Sequence, residues 1–225
     1  MINNNFRNDV RVLKENKHYR FSDLFFKKGI RWENDRNTIL NDIKFKDSIL
    51  RQYLEQKTKE QDYETLKEII KDYISKNNLK CPSESELVIH LRCGDIFEKI
   101  DKADARRVKK QYILIDNLFK KQKKIFTNKI NKVSVVTAMH FGANELNQKY
   151  FYSKEVYNEN IKFLEFFEGV INNIGYELNI ISNNDFDQDL CYMTGSNFFL
   201  KGISNVTDIV ERCLVKNAKV YSFND

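Results

Sequence analysis

The chain has 225 residues, 41% of them hydrophobic, with 17 Phe and 11 Tyr. It therefore has the material for a real core in one domain, or one domain plus an appendage, and is not a disordered chain. The 38 basic and 32 acidic residues leave a net charge of +6, a mild excess that favours anionic partners without singling one out.

Residues 1–80 lack a clear period-2 strand and show helical spacing. Ile39, Ile43, Ile49, Leu50 and Tyr53 punctuate one stretch. Tyr63, Leu66, Ile69, Ile70 and Tyr73 recur at three- and four-residue steps, one face of an amphipathic helix that Asn77-Asn78 and Cys81-Pro82 end. After Pro82 the pattern changes. Leu87-Val88-Ile89-His90-Leu91 reads as a strand buried on both faces. A helix is predicted from near Arg106 to Lys124, then a second strand over Val133 to Ala138. Ser153 is placed to cap a helix over Lys154 to Asn173 that ends at Gly175. Leu178 to Ile181 is a third strand, Gln188 to Thr194 a short helix, and Phe198 to Leu200 a fourth strand. Thr207 to Leu214 is predicted helical and Ala218 to Tyr221 a fifth strand. Strands alternating with helices imply a parallel α/β sheet over residues 81–225, preceded by a mainly helical region over 1–80.

In open parallel sheets, ligands bind beyond the carboxyl ends of the strands. Here that rule selects His90-Leu91-Arg92-Cys93-Gly94-Asp95. His90 and Arg92 are two apart and are expected on one face. An arginine at the end of a buried run is costly unless an anion meets it, and a phosphate does so through bidentate charge-assisted hydrogen bonds. Gly94 permits a sharp turn, and Asp95 can orient Arg92 or cap the following turn. Taken singly, these residues also fit a structural Arg92–Asp95 pair with His90 satisfied in the core; the group as a whole points to function.

Other strand ends add weaker candidates. His140, before Gly142, is a ligand group or a polar loop residue. Ser182-Asn183-Asn184-Asp185 suits a turn as well as a ligand contact. Gly202-Ile203-Ser204-Asn205-Val206-Thr207 opens a helix, where N–H groups and hydroxyls favour phosphate, although plain capping by Asn205 or Thr207 explains it too. Asp187 and Asp189 precede a helix, where carboxylates are welcome. Trp32 reads as packing. The basic clusters Arg106-Arg107, Lys109-Lys110, Lys120-Lys121 and Lys123-Lys124 have no interleaved aromatics, so a solvated helix face is favoured over nucleic-acid binding. Cys81, Cys93, Cys191 and Cys213 contain no C-x-x-C pair, and no metal site is expected.

At His90-x-Arg92-x-Gly94-Asp95 the sequence resembles the fucosyltransferase superfamily that uses GDP-fucose: the α1,2-fucosyltransferases and, more distantly, the α1,6- and protein O-fucosyltransferases. Gln111-Tyr112 is similar to a segment that starts the family's next helix. Ile181-Ser182-Asn183-Asn184 resembles its F-S-D-D strand end. Asp189 to Met193, then Phe199 to Thr207, resemble its D-x-x-x-M segment and the strand leading to S-x-F-S. The resemblance implies a Rossmann-like sheet like the nucleotide-sugar-binding half of a GT-B glycosyltransferase. It implies that Arg92 binds the β-phosphate, that His90 lies beside the nucleotide with Gly94, and that Asp189 or else Asp187 reads the guanine. Ser204, Asn205, Val206 and Thr207 would then contact phosphate. No cofactor or metal is implied, since arginine takes the charge-neutralising role.

The expectation is a metal-independent fucosyltransferase acting on a glycan or lipid-linked saccharide. The family's G-G-L-G-N-Q motif is absent and Asp208-Ile209 stands where it has W-W, so a non-catalytic nucleotide-binding or partner subunit is the alternative. No run approaches the ~20 apolar residues of a membrane span, and Met1 to Asn5 lacks a signal peptide's apolar stretch, which leads to an expected cytoplasmic location.

Overall fold

The computed structural model describes residues 10–12, 30–56, 61–98, 102–120, 126, 129–137, 139–141, 154–181 and 185–222. Its centre is β2 (Glu86–His90), whose Leu87, Val88 and Ile89 are fully buried. Helices on both sides are needed to keep such a strand dry. It pairs in parallel with β4 (Lys132–Val136) on one side and β7 (Phe198–Lys201) on the other. Beyond β4 lies β6 (Leu178–Ile181), and beyond β7 lies β8 (Lys219–Ser222). The five-stranded order β6-β4-β2-β7-β8 is all parallel, a Rossmann-like α/β sheet. A second, three-stranded sheet joins β1 (Val10–Val12), β5 (Met139–Phe141) and β3 (Cys93–Gly94).

Two cores sandwich the main sheet. On one face lie α4 (Lys102–Lys120) and α5 (Lys154–Asn173), reached by the crossovers from β2 to β4 and from β4 to β6. Phe163, Phe167 and Ile171 of α5 are fully buried at helical spacing. Each such side chain contributes about 1.5–3 kcal/mol of burial. On the opposite face lie α6 (Phe186–Thr194) and α7 (Asn205–Arg212). They share that core with α2 (Ile49–Glu55), α3 (Tyr63–Lys76) and Ile39 of α1 (Ile30–Asn41). Asp62 caps α3 by accepting from Thr65 N, and Leu66, Ile69 and Ile70 form its buried stripe, as the spacing predicts. Among the described residues, no helix is long and apolar enough to cross a membrane.

Several sequence expectations shift here. The helix expected from Arg106 to Lys124 runs Lys102–Lys120, and Lys121, Lys123 and Lys124 lie outside the described residues, as does Ser153. The strands β1, β3 and β5 were not legible: at two or three residues each, they are too short to show alternation. The helical region before β2 accordingly also contains a strand.

Glu86 begins β2 and is only 2% exposed. Its carboxylate accepts hydrogen bonds from Tyr192 Oη at 2.5 Å, Ser83 N at 3.1 Å, Lys132 Nζ at 3.2 Å and the Ser134 hydroxyl. Burial pushes its pKa up, but the hydrogen bonds from Ser134, Tyr192, Ser83 and Lys132 together outweigh burial and hold it below the ordinary value. Glu86→Gln should therefore cost about 2–4 kcal/mol in urea unfolding at neutral pH. The native carboxyl is the stronger acid, so its contribution is full above the unfolded-state pKa and is lost as pH falls through the folded-state value. The gap between wild type and variant should close on acidification.

Candidate functional site

The order of the main sheet reverses at β2. From there the chain steps outward through β4 to β6, then returns to β7 and continues to β8. The segment leaving β2 leads to α4 on one face, and the segment leaving β7 leads to α7 on the other. Diverging loops at a reversal open a crevice beyond the strand ends, the usual ligand position in such sheets. His90 ends β2 at this reversal, and Gly202 follows the end of β7.

These two residues meet closely. A Cβ at Gly202 would run into the His90 carbonyl oxygen, and would lie 3.7 Å from His90 Nδ1. His90 is partly covered as a residue, yet its Nδ1 is wholly enclosed and has no hydrogen-bond partner. Burial, with the nearby Arg92 charge adding to it, pushes its pKa down from 6.5 to about 4. The imidazole is therefore neutral at physiological pH. At the end of the neighbouring β4, the Thr137 hydroxyl is also buried, beside the thiol of Cys93. Buried polar groups are normally satisfied, so the His90 Nδ1 stands out at this strand end.

β2 stops at His90, so Arg92 lies past the strand and not on it, as Leu91 N turns to bond Val136 O at 3.2 Å. Two buried amides hold the turn that follows. Gln111 Oε1 accepts from Arg92 N at 3.1 Å while Gln111 Nε2 donates to Arg92 O at 3.0 Å. Asn160 Oδ1 accepts from Gly94 N at 2.7 Å, and Asn160 Nδ2 donates to Val156 O at 2.8 Å. Gly94 sits at φ 84°, the left-handed region that favours glycine. Cys93 is buried and free, and burial pushes its thiol up to about 12, so it serves as packing. Asp95 falls in a 3-10 turn (Asp95–Glu98), and its side chain lies outside what is described.

From sequence, Gln111 stands out only beside Tyr112 in the family likeness and Asn160 not at all, although a signal for their bonding role existed. Gln111 follows Val108 and precedes Ile115 on the buried stripe of α4. Asn160 precedes Phe163, Phe167 and Ile171 on that of α5. An amide in an apolar stripe must bond something, and here both bond the turn after β2.

The loop after β7 is built differently from expectation. Ser204, and not Asn205 or Thr207, caps α7 by accepting from Val206 N at 3.1 Å. Thr207 Oγ1 donates within the loop, with Ser204 O at 2.6 Å and Gly202 O at 3.2 Å. Asn205 is exposed at the first turn. Ser204 accepts in its capping bond and retains its own proton to donate.

Asp187 and Asp189 stand inside the first turn of α6, not ahead of it, because Asp185 is the cap. Asp187 Oδ2 accepts from Ile49 N at 2.9 Å and so ties α6 to α2. Burial pushes its pKa up to about 6. Asp189 is buried on the same face of the sheet as α7. His140 aligns with Gly94 on one side and Arg11 on the other, which makes a three-residue row across the small sheet; the side chains of His140 and Arg11 lie outside what is described. Gly142 and Ser182 to Asn184 also lie outside the described residues. Among the described residues, no group of three or more His, Cys, Asp or Glu side chains gathers as for a metal ion.

No family model matches the chain, and no curated protein matches it. Among solved structures, the crystal structure of POFUT1 in complex with GDP aligns at 16% identity with a TM-score of 0.37, over 71% of this chain and 46% of that one. The chain thus spans less than half the length of that protein. A likeness this loose transfers no residue and no activity.

Two outcomes follow from the His90–Gly202 contact. Gly202→Ala should cost about 1–3 kcal/mol in chemical denaturation, because the clash is with backbone and has no flexible end to yield. Native His90 takes up its proton less readily than unfolded His90. Its contribution to stability is therefore full above pH 6.5 and is lost as pH falls towards about 4. His90→Asn should lack that component in thermal unfolding measured across this window.

Proposed function

We propose that the crevice beyond β2 and β7 binds the diphosphate of a nucleotide sugar, GDP-fucose by the family resemblance, and that the chain transfers the sugar to a hydroxyl of a glycan or lipid-linked saccharide. The observation that carries this reading is the contact of Gly202 with His90 where the sheet order reverses, with the Arg92 charge acting on that histidine. Arg92 neutralises the departing β-phosphate, and Asp95 orients it. The first turn of α7, through Ser204, Asn205, Val206 and Thr207, presents partial positive charge to phosphate. Neutral His90 offers a ring nitrogen to the nucleotide beside Gly94. Asp189 reads the base. The bond from C1 to the phosphate oxygen breaks with its electron pair leaving on GDP. A new bond forms from C1 to the acceptor oxygen, whose proton passes to solvent. Charge neutralisation by arginine means that no step calls for a metal. The four free cysteines suit a reducing compartment, and the reading places the protein in the cytoplasm.

A second reading is a subunit that binds the nucleotide without transfer. It is favoured by the described region before β2, which supplies helices and one three-residue strand instead of a second Rossmann-like sheet.

Calorimetric titration of GDP, GDP-fucose and a UDP-sugar tests the shared premise. Arg92→Ala should weaken GDP by about 10–100-fold; equal binding by both proteins removes the phosphate role. Release of fucose or its transfer by the chain then supports the transferase, and tight donor binding without turnover supports the binding-only reading.

A further inference from the structure

A second site lies at the opposite end of the strands. A groove of about 470 Å³ opens where β7 and β8 begin, floored by Phe198 and Tyr221. That size falls in the range of small-ligand pockets, about 300–1,000 Å³. Topology explains why it is open. The helices on this face, α4 and α5, belong to crossovers among β2, β4 and β6, while the β7-to-β8 crossover α7 lies on the other face. The beginnings of β7 and β8 therefore have no crossover helix of their own on this side.

Tyr221 supplies an independent observation. It is 5% exposed, and its hydroxyl has no hydrogen-bond partner. The structure around it tolerates a standing cost that a phenylalanine would avoid. The Lys219 ammonium lies 4.9 Å from the centre of the Tyr221 ring and covers it. Lys129 and Glu84 also line the groove, and with Lys219 the described lining carries one net positive charge. Asn197 and Asn217 add amides; Asn197 Nδ2 donates to Glu84 O at 3.2 Å and keeps its Oδ1 as an acceptor.

We propose that this groove binds a small polyhydroxylated anion, a sugar acid or a sugar phosphate. The rings of Phe198 and Tyr221 suit the C–H face of a sugar, the two asparagine amides suit its hydroxyls, and the lysines suit the anion. An anion is a stronger partner for Lys219 than the ring, and drawing Lys219 away uncovers the Tyr221 ring towards the groove. From Phe198 to Gly202 the chain advances roughly 13 Å at strand rise. The groove is therefore separate from the crevice, and the proposal does not rest on the donor reading.

Titration of the full chain with glucuronate, glucose 6-phosphate, glucose and inorganic phosphate, followed by NMR, tests it. At least one of the two sugar anions should bind in the millimolar range, well ahead of both glucose and phosphate, and the tighter one names the anion class. Tyr221→Phe should raise the Tm of the free protein and weaken the sugar anion about 5–10-fold. Lys219→Met should erase the preference over glucose. GDP binding should be unchanged in both variants. The proposal is overturned if neither sugar anion binds, if inorganic phosphate binds as well as they do, or if Tyr221→Phe gains stability with no loss of affinity.

Discussion

Among the described residues, Gly202 approaches the His90 carbonyl so closely that no side chain fits between them. It sets how the end of β7 lies against the end of β2, and those two strands flank the reversal of the sheet. The same approach helps to enclose the imidazole of His90, which is why that ring is neutral and why its Nδ1 finds no protein partner. A larger residue at position 202 would push the loops apart and open the ring to water. The crevice and the chemistry of its histidine thus share one steric origin.

The central strand treats its two ends differently. At its start, the Glu86 carboxylate is bonded by groups from the preceding loop, from β4 and from α6. Every partner is protein, and the arrangement serves stability. At its other end, His90 Nδ1 is left without a partner, although the backbone just beyond is held by Gln111 and Asn160. The backbone at that end is fixed while the side chain it carries stays unsatisfied, the reverse of the arrangement at Glu86.

The N-terminal helices are part of the same construction. Their apolar faces share a core with Val88, Phe199, Ile209 and Val210, and the bond from Ile49 N to Asp187 pins α2 to the first turn of α6. A carboxyl with its pKa raised to about 6 is an expensive anchor at neutral pH, and its cost is offset by satisfying the Ile49 N–H, a first-turn donor that the Ser48 cap leaves open. The small sheet joins residues 10–12, through β5, to the turn after β2.

The sequence by itself determined the α/β alternation, the five principal strands and the concentration of polar residues at the carboxyl end of the first of them. Local apolar runs and helical spacing carry those features, and both are visible one segment at a time. The extent of α5 and its end at Gly175 followed from the same signals. Only the tertiary structure decided which strand ends meet. Strand order joins residues far apart in the chain, and nothing in the spacing of His90 and Gly202 announces that they touch. Tertiary structure also assigned Gln111 and Asn160 to the turn after β2, gave the α7 cap to Ser204, and gave Asp187 a backbone partner in α2. Each is a choice among several available hydrogen bonds, and the packing of distant segments makes that choice. Local sequence shows that a buried amide needs a partner; the fold selects which one.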